Sequence, residues 1–232
     1  MKTALITGAN RGIGLEFTRQ YAADGWHVIA CARNPETSTQ LNELSAQYPG
    51  RVRIWRLDVA DHQEMVSMSQ ALADASIDLL VNNAGVYPGS DANGFSNTDY
   101  DEWARVFRIN TMAPLRMAEA FAGQISRSDL RTIANISSIM GSVSDNSSGG
   151  NYLYRSSKAA LNMVVRSMAI DLKESGIISV AFHPGWVRTD MGGPNAAISA
   201  EQSVSGIRQV ISDLTLSDSG KFLDYAGREM PW

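Results

Sequence analysis

Short apolar runs recur along the chain, bounded by glycine, asparagine, proline or other residues typical of turns. Helical periodicity fills the stretches between these runs. This alternation predicts parallel strands joined by crossover helices. Most runs are apolar throughout, as expected of strands that are covered on both faces. The predicted strands are Thr3–Thr7, His27–Cys31, Val52–Leu57, Leu79–Val81, Thr132–Ile136, Ile177–Phe182 and Lys221–Asp224.

Helices are predicted between these strands. The first begins at Gly12 and ends before Asp24. Gly176 is expected to terminate the predicted helix Tyr152–Glu174, because glycine readily adopts the conformation that ends a helix. The other predicted helices are Thr37–Gln47, Asp61–Ala73, Asp99–Phe121, Tyr152–Glu174 and Glu201–Leu214.

Three stretches rich in glycine, serine and asparagine, residues 87–98, 142–151 and 184–200, lack periodicity. They follow the fourth, fifth and sixth strands, so in a parallel sheet they meet at the carboxyl edge, where open α/β sheets bind ligands. We therefore expect an α/β fold, a single Rossmann-type domain over residues 1–232. It should have a doubly wound sheet of about seven parallel strands with helices on both faces. Residues 184–200 are the expected substrate lid.

Composition narrows the class of protein. The net charge of −4 over 232 residues argues against a protein that follows nucleic-acid phosphates. Cys31 is the single cysteine, so neither an intrachain disulfide nor a CxxC metal site can form, and the dispersed histidines suggest no metal site. No apolar run approaches the roughly 18 residues of a membrane helix, and the first run is too short for a signal peptide. We expect a cytoplasmic protein.

A glycine-rich turn, Thr7–Gly14, follows the first strand with the spacing Gly-x3-Gly-x-Gly. Glycines let a backbone approach a phosphate, and a helix that starts at the turn presents free N–H groups and a positive dipole end. A plain tight turn is the alternative interpretation. The position directly after the first strand favours nucleotide binding.

The end of the second strand indicates which nucleotide binds. Enzymes that prefer NAD place a carboxylate near this point for the ribose hydroxyls. Here Arg33 occupies that region, and Arg11 lies within the glycine turn. Two guanidinium groups suit the 2′-phosphate of NADP(H), although both could be ordinary surface arginines. We predict a preference for NADP(H) over NAD(H).

Tyr154 and Lys158 lie four residues apart on a predicted helix, hence on one face. In isolation this pair would be interpreted as an amphipathic surface pair. Other polar residues change that interpretation. Asn110 interrupts the apolar stripe of its predicted helix, and Ser138 and the Asn82–Gly85 segment follow predicted strands. Such side chains need partners when buried, and a shared site supplies them.

In order and placement, these residues and the Pro184-Gly185 pair after the sixth strand resemble the short-chain dehydrogenase/reductase family from Thr3 to about Thr189. Three longer segments, 154–162, 183–193 and 224–232, are similar to C-factor and sniffer-type carbonyl reductases. The interval from Ser138 to Tyr154 is longer than is usual in the family. We expect the extra residues, Asp145–Gly150, to shape the substrate entrance.

The resemblance implies a role for each polar residue. Tyr154 would act as the general acid that protonates a substrate carbonyl oxygen. The Lys158 ammonium is expected to lower the pKa of the phenol, which is near 10 when free. Lys158 would also hold the nicotinamide ribose, and Ser138 would hydrogen-bond the substrate oxygen. Asn110 would anchor a water molecule that links Lys158 to solvent.

The resemblance also implies the cofactor contacts. Asp58 would contact the adenine, although it is equally suited to a helix N-terminus. The Val187 backbone would meet the carboxamide, and the Thr189 hydroxyl a cofactor oxygen. The expected catalytic residues are Asn110, Ser138, Tyr154 and Lys158. The expected cofactor-binding residues are Gly8, Asn10, Arg11, Gly12, Ile13, Gly14, Arg33, Asp58, Val59, Asn83, Ala84, Gly85, Tyr154, Lys158, Pro184, Gly185, Val187 and Thr189.

The resulting hypothesis is an NADPH-dependent carbonyl reductase. Aromatic residues in the irregular stretches suggest an apolar or aromatic carbonyl substrate: Tyr87, Phe95, Tyr152 and Trp186. An NADP(H)-binding regulatory or signalling protein with little turnover is the alternative. A sugar-nucleotide epimerase also uses Tyr-x3-Lys but generally needs a longer C-terminal region. A homodimer or homotetramer is expected by analogy, with no nucleic-acid or membrane partner.

Overall fold

A computed structural model describes residues 1–89 and 94–232. Residues 90–93, part of the predicted irregular stretch 87–98, lie outside the described residues. Within the described ranges the strands form one sheet of seven, and every pairing is parallel. This confirms the predicted fold class. The strands are β1 (Thr3–Thr7), β2 (His27–Ala32), β3 (Val52–Arg56), β4 (Leu79–Asn82), β5 (Thr132–Ile136), β6 (Ile178–His183) and β7 (Phe222–Asp224).

The strand order in the sheet is β3-β2-β1-β4-β5-β6-β7. The chain direction across the sheet therefore reverses between β1 and β4. In open α/β sheets such a reversal leaves a crevice at the carboxyl ends of the strands, where ligands bind. The sheet thus places the residues that follow β1 and β4 beside one another at that crevice.

Helices cover both faces of the sheet, as predicted. The sheet has a hydrophobic core on each face, because alternate residues of β1 point to opposite faces. Ile6 packs in a cluster with Phe17, whereas Leu5 packs in a second cluster with Phe121. The helices are α1 (Gly12–Ala23), α2 (Thr39–Gln47), α3 (His62–Ala71), α4 (Tyr100–Phe107), α5 (Ala113–Ser126), α6 (Tyr152–Asp171) and α7 (Ala200–Asp213).

The prediction of one helix over Asp99–Phe121 is wrong. The segment divides into α4, a π-helical turn at Arg108–Met112 and α5, which continues to Ser126. Pro114 supplies a physical reason, because proline has no N–H to donate to the Asn110 carbonyl four residues earlier. The wider turn accommodates that missing bond and carries Asn110.

The long helix that begins at Tyr152 ends at Asp171, three residues before its predicted end. A short 3₁₀ turn, Lys173–Ser175, follows it. Gly176 then adopts a positive φ of 67°, which confirms it as the terminator. Across the described ranges, no helix is long and apolar enough to span a membrane.

Candidate active site

The turn after β1 is built so that only glycine fits at its tightest points. Gly8 and Gly12 have φ values of 66° and 53°, in the region that favours glycine. A Cβ atom on Gly14 would lie 2.2 Å from the Gly8 carbonyl oxygen. The backbone of α1 therefore packs directly on the turn, and the helix begins with its free N–H groups at the carboxyl edge of the sheet.

Asn83, after β4, fastens this turn to the centre of the sheet. Its Nδ2 donates to the carbonyl oxygens of Thr7 at 2.9 Å and Gly8 at 3.1 Å. In return, the Thr7 hydroxyl oxygen accepts hydrogen bonds from the backbone N–H groups of Asn83 and Ala84. These reciprocal bonds fix the glycine turn against the segment that follows β4.

A cleft of about 530 Å³ runs along the carboxyl ends of the strands, where the strand order reverses between β1 and β4. It brings together most of the predicted cofactor-binding residues. Those that line it are Gly8, Asn10, Arg11, Gly12, Ile13, Arg33, Asp58, Val59, Asn83, Ala84, Gly85, Tyr154, Lys158, Pro184 and Thr189.

Sequence analysis missed other residues of the cleft. Most are close in sequence to residues that were predicted, so their signal was adjacency to a strand end. Three of them, Asn34, Thr37 and Ser38, add polar groups beside Arg33. The missed lining residues are Asn34, Thr37, Ser38, Gln40, Leu57, Val86, Ile109, Ile136, Ser137, Arg188, Asp190 and Met191.

Five predicted residues lie outside the lining of the cleft. Gly14 is buried behind the glycine turn, and Val187 is buried in a β-bridge with Ile198. Gly185 packs closely against Ile198 and Tyr225, since an added Cβ would lie 2.6 Å from the Ile198 Cδ1. The remaining two, Asn110 and Ser138, are buried and contact residues of the lining directly, as described below.

Tyr154 and Lys158 lie on the first two turns of α6, and both are buried. The Lys158 Nζ donates a hydrogen bond of 2.8 Å to the Ile136 carbonyl oxygen and lies 5.7 Å from the centre of the Tyr154 ring. Ser138, at the end of β5, hydrogen-bonds the Tyr154 phenol. The hydroxyl of the neighbouring Ser137 turns away and donates to the Asn162 Oδ1 at 2.6 Å.

The expected lowering of the Tyr154 pKa is not observed in this structure. Burial raises the pKa of Tyr154 to about 12, and the hydrogen bond from Ser138 offsets only part of that effect. Burial also lowers the pKa of Lys158 to about 8. Loss of solvation disfavours the charged form of each group, and it is the largest influence on both pKa values.

Asn110 holds the segment that follows β4. Its Oδ1 accepts a hydrogen bond from the Val86 N–H and its Nδ2 donates to the Val86 carbonyl oxygen, both at 2.9 Å. Its Nδ2 also donates to the Ser157 hydroxyl on α6 at 3.1 Å. Asn110 therefore ties the wall of the cleft at Val86 to the helix that carries Tyr154 and Lys158.

Arg11 and Arg33 are both exposed and both line the cleft. Arg11 forms an ion pair of 2.7 Å with Asp190, in the segment that follows β6. Both side chains of this pair are mostly exposed, so the pair contributes little to stability. An anionic group in the cleft could replace the Asp190 carboxylate as the partner of Arg11.

The main-chain oxygen of Trp232 clamps the segment that follows Ser138. It accepts hydrogen bonds from the N–H groups of Val143 and Ser144, both at 3.0 Å, and from the hydroxyls of Ser142 and Ser144. The Trp232 ring stacks on Phe222 of β7, with centroids 5.7 Å apart. The base of the 142–151 stretch is thus anchored to the edge of the sheet.

We expect the Trp232→Ala variant to loosen this clamp, because loss of the aromatic contact removes about 0.5–1.5 kcal/mol. Amide hydrogen exchange at Val143 and Ser144 should then accelerate by about 2- to 12-fold. The matched control is Trp55→Ala, on the strand at the opposite edge of the sheet. Unchanged exchange at both amides would contradict the clamp.

The comparisons with known proteins agree with this geometry. A family model described as short chain dehydrogenase matches residues 2–198. The chain belongs to the short-chain dehydrogenase family. As a member of this family, the chain is an NAD(P)-dependent oxidoreductase that acts on small molecules.

Individual members of the short-chain dehydrogenase family can be compared in detail. The chain is 49% identical to C-signal of Myxococcus xanthus over 156 residues, which cover 67% of this chain and 93% of that protein. The structure of NADPH-bound carbonyl reductase from chicken fatty liver has a TM-score of 0.92 and 35% identity, covering 100% of this chain and 99% of that one. Carbonyl reductase Sniffer of D. melanogaster has a TM-score of 0.92 and 31% identity, with full coverage of both chains.

Proposed function

We propose that this protein is an NADPH-dependent carbonyl reductase. The observation that carries the proposal is the placement of a buried phenol, Tyr154, beside Ser138 and Lys158 in a cleft that suits a dinucleotide. The similarity to the NADPH-bound carbonyl reductase of chicken fatty liver supports the same substrate class.

The cleft fits a nicotinamide dinucleotide at its phosphate end. Gly12 lines the cleft, and a Cβ there would lie 3.2 Å from the Thr189 Cγ2, so the bare backbone leaves room for a phosphate. Arg11 and Arg33 offer guanidinium groups for a 2′-phosphate. The bound cofactor would supply the hydride.

In this proposal Tyr154 donates its proton to the substrate carbonyl oxygen. Its raised pKa keeps the phenol protonated at neutral pH, so the acid is ready before the substrate binds. Ser138 would hydrogen-bond the same oxygen and orient it. The Lys158 ammonium would stabilise the phenolate that forms as the proton leaves, and would hold the nicotinamide ribose.

Asn110 would anchor a water molecule that links Lys158 to solvent, so that a proton from solvent could replace the one that Tyr154 gives up. Two features support this role. The Asn110 side chain is occupied by Val86 and Ser157, and Pro114 removes the N–H that would normally bond the Asn110 carbonyl. That carbonyl is then a candidate acceptor for a water molecule near α6.

We expect the Arg33→Ala variant to raise KM for NADPH by about tenfold or more, because a hydrogen bond to a charged group contributes roughly 1.5–3 kcal/mol. KM for NADH should change little, since NADH lacks the 2′-phosphate. Steady-state kinetics with both cofactors measures this difference. Arg53→Ala, which removes an arginine from β3 outside the cleft, is the matched control. A clear preference of the wild type for NADH would refute the cofactor assignment.

We also infer that residues 1–232 act as one domain, with residues 184–200 as a substrate lid. The cleft supports this inference, because its lining extends from Gly8 to Met191.

A homodimer or homotetramer is supported by exposed apolar side chains on the helices around the site, including Met112, Met163 and Ile170. Cytoplasmic location stays a prediction from the sequence.

The proposed reaction is tested by measuring the oxidation of NADPH with a panel of quinones, diketones and aromatic aldehydes. The absorbance of the reduced nicotinamide reports the rate. Turnover of at least one class of carbonyl compound is expected.

A second candidate function, that of an NADP(H)-binding signalling protein, is favoured by the 49% identity with C-signal. Tight NADPH binding without turnover on the whole panel would support that candidate instead.

A further inference from the structure

Tyr87 lies beside the phenol of Tyr154. The two rings meet edge to face, with centroids 4.8 Å apart and planes at 64°. Tyr154 is 7% exposed and Tyr87 is 41% exposed. Tyr87 is therefore the outer ring of the pair, and a substrate that approaches the phenol from solvent passes close to it.

Tyr87 is held in place from two directions. Tyr87 directly follows Val86, and the backbone N–H and carbonyl group of Val86 both form hydrogen bonds with the Asn110 side chain. Its hydroxyl donates a hydrogen bond of 2.7 Å to the Asn151 Oδ1. Asn151 immediately precedes α6, the helix that carries Tyr154. The outer ring is thus fixed relative to the inner one by contacts at each end.

We propose that Tyr87 is a specificity-determining residue whose ring forms one wall of the substrate site and selects carbonyl compounds with an aromatic ring next to the carbonyl group. This inference rests on the proposed function, in which the substrate oxygen bonds the Tyr154 phenol. When the substrate oxygen bonds that phenol, the substituents on the carbonyl carbon come within reach of the Tyr87 ring. The centroid of this ring lies 4.8 Å from that of the Tyr154 ring. An aromatic substituent can then make the offset or edge-to-face contact that aromatic pairs favour.

The surrounding edge of the sheet has matching chemistry. Other exposed apolar side chains at this edge include Val143 after β5, Tyr152 at the start of α6 and Trp186 after β6. The Trp186 ring is oriented by a hydrogen bond of 2.8 Å from its Nε1 to the Gly192 carbonyl oxygen. These side chains offer aromatic and aliphatic surface at the same edge of the sheet for the remainder of such a substrate.

Acetophenone and cyclohexyl methyl ketone test the proposal, because they share the methyl ketone and differ in the aromaticity of the ring. The ratio of their kcat/KM values, acetophenone over cyclohexyl methyl ketone, is measured for the wild type, Tyr87→Leu and Tyr87→Phe. Leucine should lower this ratio by about 2- to 12-fold, the range for loss of one aromatic pair. Phenylalanine keeps the ring and should preserve the ratio.

Tyr100→Leu is the matched control, since Tyr100 is an exposed tyrosine of α4. It should leave the ratio unchanged. If Tyr87→Leu fails to fold, Tyr87→Met provides the same aliphatic comparison. Equal losses with both ketones would overturn the proposal, because a residue that only supports Tyr154 affects all substrates alike.

A binding measurement separates this proposal from the reductase proposal. Each ketone is titrated by calorimetry into NADP⁺-saturated protein, where no hydride is available. Tighter binding of acetophenone that is lost in Tyr87→Leu supports the role of Tyr87 even if no ketone is reduced. Reduction of both ketones with an unchanged preference in Tyr87→Leu would refute the role of Tyr87 and leave the reductase standing. Binding of neither ketone would overturn the role of Tyr87.

Discussion

The Tyr154→Phe variant should lose about 10²- to 10⁴-fold in kcat for carbonyl reduction, the usual contribution of a positioned general acid. The phenol is buried beside Ser138, and its pKa is raised to about 12, so at neutral pH it is a proton donor. Phenylalanine fills the same space without a proton to give. Steady-state turnover with NADPH and an active carbonyl substrate measures the loss.

Two controls make this result specific to the acid. Affinity for NADPH, followed by fluorescence of the bound cofactor, should be nearly unchanged in Tyr154→Phe, because the ring still lines the cleft. Tyr152→Phe removes a hydroxyl from an exposed tyrosine of the same helix and should turn over normally. Near-normal turnover in Tyr154→Phe would contradict the proposed mechanism.

The parts of the site that follow β1 and β4 are predictable from the sequence because their signals are local. The turn Thr7–Gly14 and the segment Asn82–Gly85 each follow a short apolar run, and parallel strands bring such ends together. Arg33 is found by the same logic at the end of β2. The order of the strands depends on pairings between runs that are far apart in sequence, so no single run predicts it.

Other features depend on contacts between residues that are far apart in sequence. The hydrogen bond from Tyr87 to Asn151 spans 64 residues, and the clamp from Trp232 reaches back to Ser142. Neither contact leaves a periodic pattern. The break between α4 and α5 did carry a local signal, Pro114, four residues after Asn110. A proline at this position predicts a break within the helical pattern of Asp99–Phe121.

The direction in which the pKa of Tyr154 shifts is another property that the sequence does not predict. Pairing the phenol with an ammonium four residues later suggests a lowered pKa. The outcome depends instead on how deeply the two groups are buried, and burial depth is a property of the assembled sheet and helices. An active-site pKa therefore cannot be derived from spacing along a helix alone.

Lys158 should make the stability of the protein depend on pH in a defined window. Burial lowers the pKa of its ammonium from 10.5 to about 8. Between these values the unfolded chain binds a proton that the folded chain does not, so the free energy of unfolding rises with pH. A shift of this size corresponds to about 3 kcal/mol across the window.

The Lys158→Met variant should lack that rise. The difference in unfolding free energy between wild type and variant should therefore change by about 3 kcal/mol from pH 8 to pH 10.5. Urea denaturation at each pH measures it, and other titrating groups cancel in the difference. Lys173→Met, which removes an exposed lysine just after α6, should follow the wild type at every pH.

The same substitution should lower kcat/KM for reduction by about 10²-fold or more, the usual cost of removing one preorganised charge-stabilising donor. In the wild type, kcat/KM should fall as pH rises through about 8, because Lys158 then loses the charge that stabilises the Tyr154 phenolate. Lys158→Met should lose this step in the profile along with its activity. A wild-type kcat/KM that stays level through pH 8, together with stability curves of wild type and variant that run parallel, would show that Lys158 does not carry this proton.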